Sequence, residues 1–98
     1  MNLYSLDASF NLMITDEGIG HMNLHILQVR GNCAITDDGI RKFNLQLLDA
    51  SDNNKITDNG IKYMSLHTLI AQGNCGITNN MNAYIIYAHN NPKITQGN

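Results

Sequence analysis

Apolar residues recur along the chain in a fixed phase. Leu3, Leu6, Ala8 and Ile14 are followed 21 positions later by Leu24, Leu27, Val29 and Ile35, then by Leu45, Leu48, Ala50 and Ile56, and again by Leu66, Leu69, Ala71 and Ile77. A last set, Ala83, Ile86, Ala88 and Ile94, arrives after only 17 positions. Self-similarity at a short fixed period marks a stack of units, each too small to bury its apolar face alone. The units are 1–21, 22–42, 43–63, 64–80 and 81–98, one domain with no obvious capping unit.

Within a unit, the stretch around Leu6 and Ala8 alternates with period 2, as a half-buried strand must. Leu6 and Ala8 then point inward, and Ser5, Asp7 and Ser9 outward. Five such strands stacked in parallel make a narrow sheet about 20 Å across. Asn11, Asn32, Asn53, Asn74 and Asn91 follow the strands where the chain must turn, and are expected to form a buried amide ladder satisfying backbone groups of neighbouring coils.

The next segment pairs Thr and Asp, suited to capping a helical turn, with Gly18, Gly39 and Gly60 allowing a tight bend. One short helical or 3₁₀ turn per unit is all the spacing allows. Ile19 with Met22, Ile40 with Phe43 and Ile61 with Met64 close the core from that side. Unit 4 lacks this segment, so a plain loop is expected at Asn79 and Asn80, with thinner packing.

The unit reads L-x-x-L-x-A-x-x-N-x-x-I-T-D-x-G-I-x-x-M-N and resembles the leucine-rich repeat family over the whole chain. It is most similar to the cysteine-containing, F-box-type repeats, through Ile14-Thr15-Asp16-Glu17-Gly18-Ile19, Ile35-Thr36-Asp37-Asp38-Gly39-Ile40 and Ile56-Thr57-Asp58-Asn59-Gly60-Ile61. That subclass usually has a longer repeat and a Cys where this chain puts Asn. The resemblance implies an α/β solenoid with strands on a concave face and short turns on a convex one. It also implies a protein-binding role, such as an adaptor or a ubiquitin-ligase substrate receptor.

Composition narrows the function. A net charge of −2 with scattered Lys and Arg supplies no basic face, which argues against a nucleic-acid partner. No apolar stretch approaches the roughly 20 residues needed to cross a bilayer, and Met1 is not followed by a signal-peptide pattern. A cytoplasmic protein without membrane contact is the expectation. Cys33 and Cys75 stand two units apart, about 10 Å in the stack, beyond the roughly 7 Å limit for a disulfide. They read as packed thiols in a reducing compartment.

Candidate chemistry is sparse. His21 and His25 are four apart but lead into a strand and lack the Glu of a zinc hydrolase. Asp7 and Asp49 share an outward column at a separation of about 10 Å, with no third acid to form a catalytic set. No catalytic, cofactor or metal site is expected. What remains is a surface in which Leu47, Ile70, Ile85 and Tyr87 form an exposed apolar cluster beside Arg30, Asp49, Gln72 and His89, suited to a protein contact. The alternative is a structural or self-assembling repeat fragment joined through uncapped ends, with apolar layers exposed near Leu3 and Leu6 and near Ile86 and Ile94. A β-helix carbohydrate-active enzyme is the third reading, disfavoured because only one strand per unit alternates.

Overall fold

The structure, a computed structural model, describes residues 4–78 and 83–94. Its five strands are β1 (Ser5–Asp7), β2 (Ile26–Gln28), β3 (Leu47–Asp49), β4 (Thr68–Ile70) and β5 (Ile85–Tyr87). They pair in sequence order into one parallel sheet. Leu6, Leu27, Leu48, Leu69 and Ile86 lie in register across it, as do Asp7, Gln28, Asp49, Ile70 and Tyr87. The chain is therefore a parallel-strand β-solenoid of four turns carrying five strands. The shorter fourth turn does not disturb the register, since Thr68 still pairs with Ile85.

The inward positions form a continuous core. Leu27, Leu48 and Leu69 have no exposure, nor do Ile35, Ile56 and Ile77. Full burial of each such side chain stabilises the stack by about 1.5–3 kcal/mol. On the opposite wall Ile19, Ile40 and Ile61 are also fully buried, with Phe43 and Met64 closing over them. Among the described residues helix is confined to two single turns, α1 (Asp37–Ile40) and α2 (Asp58–Ile61), and the equivalent segment of unit 1 is a run of turns over 16–21. The loop expected at Asn79 and Asn80 lies outside the described residues.

The Thr-Asp segment works differently from a simple cap. Thr36 makes no side-chain cap bond, although Thr57 Oγ1 accepts from Asn59 N at 3.2 Å. The carboxylates instead reach forward to the following coil. Asp16 accepts from Thr36 N (2.8 Å) and Oγ1 (2.6 Å), Asp37 from Thr57 N (2.8 Å) and Oγ1 (2.5 Å), and Asp58 from Thr78 N (2.9 Å) and Oγ1 (2.5 Å). The motif is thus a clip between coils, bonded twice through an ionised acceptor. Its glycine serves the clip rather than a bend: a Cβ on Gly39 would collide with the Asp16 carboxylate, and one on Gly60 with that of Asp37.

The asparagine ladder also needs correcting. Asn53 and Asn91 are buried and Asn11 is half-buried, but Asn32 and Asn74 are exposed, and Cys33 and Cys75 take the inward place in units 2 and 4. A buried amide must find partners for both its ends, whereas a thiol is a small, nearly apolar group that needs none. Where a Cys follows the Asn, the Cys goes in. The inner column therefore alternates amide and thiol. Asn53 Nδ2 donates to Val29 O (2.5 Å) and Cys33 Sγ (3.4 Å), while its Oδ1 accepts from Lys55 N (2.8 Å) and Ile56 N (3.3 Å). Asn91 repeats this with Ala71 O (2.7 Å), Cys75 Sγ (3.3 Å) and Lys93 N (2.9 Å).

The alternation makes a pair of units, 42 residues, the true repeat. Left-handed residues lie at Phe10, Asp52 and Asn90 in odd units and at Gly31 and Gly73 in even ones. A Cβ on Gly31 would strike the Phe10 ring, and one on Gly73 the Asp52 carboxylate, so the even unit needs glycine beneath its odd neighbour's side chain. Isolated parallel bridges join unit 1 to 2 (Thr15 with Ala34) and unit 3 to 4 (Thr57 with Gly76). At the other joints a lysine caps the preceding coil, Lys55 Nζ on Cys33 O (2.9 Å) and Lys93 Nζ on Cys75 O (3.3 Å).

Candidate interaction surface

Three rows of side chains cross the open face of the sheet, each contributing one residue per strand. They run Ser5, Ile26, Leu47, Thr68, Ile85; then Asp7, Gln28, Asp49, Ile70, Tyr87; then Ser9, Arg30, Ser51, Gln72, His89. Polar residues dominate toward unit 1 and apolar or aromatic ones toward unit 5.

The polar end is tied down. Ser9 N donates to Asp7 Oδ1 (3.0 Å) and Ser51 N to Asp49 Oδ1 (3.1 Å), while Ser9 Oγ accepts from Arg30 N (3.0 Å) and Ser51 Oγ from Gln72 N (3.1 Å). Asp-Ala-Ser in units 1 and 3 is therefore a second clip, joining an odd unit to the even unit after it. The Ser9 bonds to its side chain hold the Asp7 carboxyl below the usual carboxylate range, hydroxyl first and backbone second, with a smaller pull from Arg30. Arg30 lies with Nε 3.8 Å from Asp49 Oδ2 and its guanidinium 5.9 Å from the centre of the Phe10 ring.

Several expected site residues are less exposed than the alternation of the sequence suggests. Asp49, expected in an outward column, is only 8% exposed. Its Oδ1 accepts from Ser51 N, and its Oδ2 faces Arg30. Leu47, Ile70 and Ile85 are half-buried rather than exposed, because rows of side chains spaced at a strand's separation shield one another. Tyr87, at 51%, and His89 are the members of the cluster that project, with half-buried Gln72 beside them. Arg30 is exposed but committed to the polar end.

The apolar end layers also differ from expectation. Ile94 is buried, Ile86 and Leu6 are half-buried, and Leu3 lies outside the described residues. Exposed apolar side chains occur instead at Phe10 (64%), Leu12 (57%) and Met13 (88%), in the loop after β1. Unit 3 has Asp52, Asn54 and Lys55 at those places and unit 5 has Asn90, Pro92 and Lys93, so comparing units two apart would have found the difference in the sequence.

Along the edge where the strands begin, Tyr4 stacks on His25 with centroids 4.8 Å apart and donates from its hydroxyl to Gln46 Oε1 (2.9 Å). His67 leans on Tyr84 at 5.3 Å. These rings pack on one another. Cys33 and Cys75 are free and buried, and burial pushes the Cys75 thiol up. No group of three or more His, Cys, Asp or Glu that could hold a metal ion occurs among the described residues. No helix among them is long and apolar enough to cross a membrane. Compared with known proteins, the chain matches no family model, and no curated protein and no solved structure shows a significant match to it.

Proposed function

We propose that the chain is a leucine-rich-repeat solenoid and that the C-terminal half of its concave sheet face holds a protein partner. The repeat reading is supported by the single strand per turn, by the I-T-D-x-G-I clip and by the inward cysteines of units 2 and 4, which occupy the core position that the cysteine-containing subclass fills with Cys. An adaptor or substrate-receptor role is what that resemblance brings with it.

One observation carries the binding reading, a departure of the chain from its own pattern. Unit 5 has the odd-unit loop, with Asn90 left-handed and Asn91 buried, yet Tyr87-Ala88-His89 replaces the Asp-Ala-Ser clip of units 1 and 3. Ile70 likewise stands where unit 2 has Gln28. Residues freed from holding coils together, amphipathic and projecting, suit the centre of a protein contact. Arg30 and Asp49 are support for the scaffold, and Ile70, Gln72, Ile85, Tyr87 and His89 make the contact. A photo-crosslinker at position 87 should capture a discrete partner from source cells, whereas one at Tyr63 on the opposite wall should not. Ile70→Lys should abolish the capture at 87 while the fold persists by circular dichroism. Equal capture from both positions would remove the reading.

A second reading, self-association, is favoured by the exposed Phe10, Leu12 and Met13. It requires that Met13→Lys reduce the apparent mass on size-exclusion chromatography.

A further inference from the structure

The third position after the clip threonine's isoleucine, x in I-T-D-x-G-I, is Glu17 in unit 1, Asp38 in unit 2 and Asn59 in unit 3. Two acids and an amide thus share one column. Of the fifteen asparagines in the chain, Asn59 alone is followed by glycine. We propose that Asn59 is a site of spontaneous deamidation, gated by opening of α2, and that its two products act on the solenoid in opposite directions.

The chemistry needs only water. The backbone nitrogen of Gly60 bonds to the side-chain carbonyl carbon of Asn59, and the amide nitrogen leaves as ammonia with the proton lost by Gly60. Water then opens the cyclic imide at one of its two C–N bonds, giving aspartate or isoaspartate. Glycine, lacking a Cβ, leaves its nitrogen open to this approach. Asn59 is exposed, so ammonia departs freely into solvent. The folded turn restrains the attack, because the Gly60 N–H is already given to Thr57 O at 3.0 Å and the Asn59 N–H to Thr57 Oγ1 at 3.2 Å. The reaction therefore waits on local opening of α2, a four-residue turn held by its clips to units 2 and 4 and by the buried Ile61.

Unit 2 shows what the aspartate product would do. There Asp38 pairs with Arg41 one turn on, Oδ1 to Nη1 at 2.7 Å. Lys62 stands in the same relation to Asn59, three residues later, with its ammonium now 5.2 Å from the Tyr63 ring centre. Aspartate at 59 would copy the unit 2 pair and add a second acid to the first turn of α2, as α1 already has in Asp37 and Asp38. Isoaspartate would do the reverse. It inserts a methylene into the backbone beside Gly60, where not even a Cβ fits beneath the Asp37 carboxylate, and so breaks the clip between units 2 and 3.

The test is to hold the purified chain at mildly alkaline pH, folded and in denaturing urea, and to map conversion by peptide mass spectrometry with isoaspartate-specific methylation. Conversion should concentrate at Asn59 and should be slower in the folded chain by about tenfold or more, as expected for a step behind a local opening. Equal rates in both conditions would overturn the gating, and no excess at Asn59 over other asparagines in urea would overturn the site. Asn59→Asp should keep the circular dichroism spectrum and raise the melting temperature. A lower melting temperature would overturn the assignment of the aspartate product.

Discussion

Gly60→Ala offers a sharp test of the clip between coils, because two opposing effects meet at one methyl group. Alanine favours a helical turn over glycine by about 1 kcal/mol. Against this, the added Cβ would occupy the space of the Asp37 carboxylate, which accepts from Thr57 N at 2.8 Å and Thr57 Oγ1 at 2.5 Å. Overpacking of this kind costs about 1–3 kcal/mol. Hydrogen bonds to a charged group contribute about 1.5–3 kcal/mol each, and two sharing one half-exposed carboxylate together contribute about 2–3 kcal/mol. Displacing Asp37 forfeits part of that, so Gly60→Ala should destabilise the chain by about 2 kcal/mol once the propensity gain is counted. Asp37→Ala alone should cost about 2–3 kcal/mol. In the double variant the carboxylate is gone, and Gly60→Ala should become neutral or stabilising by about 0.5 kcal/mol, with the Asp37 Cα still near the new methyl. The coupling is then about 2 kcal/mol, well above the few tenths seen for independent sites. Urea unfolding followed by far-ultraviolet circular dichroism measures it, since the chain has no tryptophan. If Gly60→Ala costs the same with and without Asp37, glycine is there for the backbone and the clip argument fails.

Two further predictions concern the inner column and the polar end of the face. Asn53→Ala leaves Val29 O only the weak Cys33 thiol bond, takes the acceptor from the Lys55 and Ile56 N–H groups and should cost about 3 kcal/mol or more, while Cys33→Ala, which gives up two weak thiol bonds, should cost about 1 kcal/mol; similar urea midpoints for the two variants would contradict the amide-and-thiol ladder. Asp7 has a folded pKa below its unfolded one, so its contribution to stability is present above the ordinary aspartate value of about 3.9 and is lost as pH falls through the lowered value. Ser9→Ala removes the largest cause, so the Asp7 carboxyl followed by NMR should titrate at higher pH; an unmoved titration would mean that the backbone N–H at position 9, rather than the hydroxyl, holds it down.

The strand register was legible because inward residues repeat in phase and because a one-residue slip would turn Leu27 or Leu48 out of the core. The shortened fourth turn was legible for the same reason, since the phase of Leu69 and Ile86 survives it. What the period of 21 concealed was the difference between neighbours. An Asn at every turn looks like one ladder, and only burial distinguishes Asn53 from Asn32, with Cys33 deciding between them. The clips were hidden too, because Asp37 and Thr57 are bonded across 20 positions while the sequence places each Asp beside its own Thr. On the open face, alternation gives direction but not exposure, so Asp49 and Leu47 were placed correctly and read as freer than they are.

The 42-residue repeat also separates structure from use on that face. Any side chain that recurs two units away with the same bonds is explained by the stack itself: Asp7 with Asp49, Ser9 with Ser51, Cys33 with Cys75, Asn53 with Asn91. Residues that break the recurrence are not explained in that way, and among the described residues the largest breaks fall in two places, Phe10 with Leu12 and Met13, and Ile70 with Tyr87 and His89. The first lies in a loop beside the rigid sheet. The second lies on the sheet, where strand pairing on β4 and β5 fixes the side chains and a partner would meet them with little ordering cost. Ile70 and Tyr87 are thus held in place by strand pairing and are not used to hold neighbouring coils together.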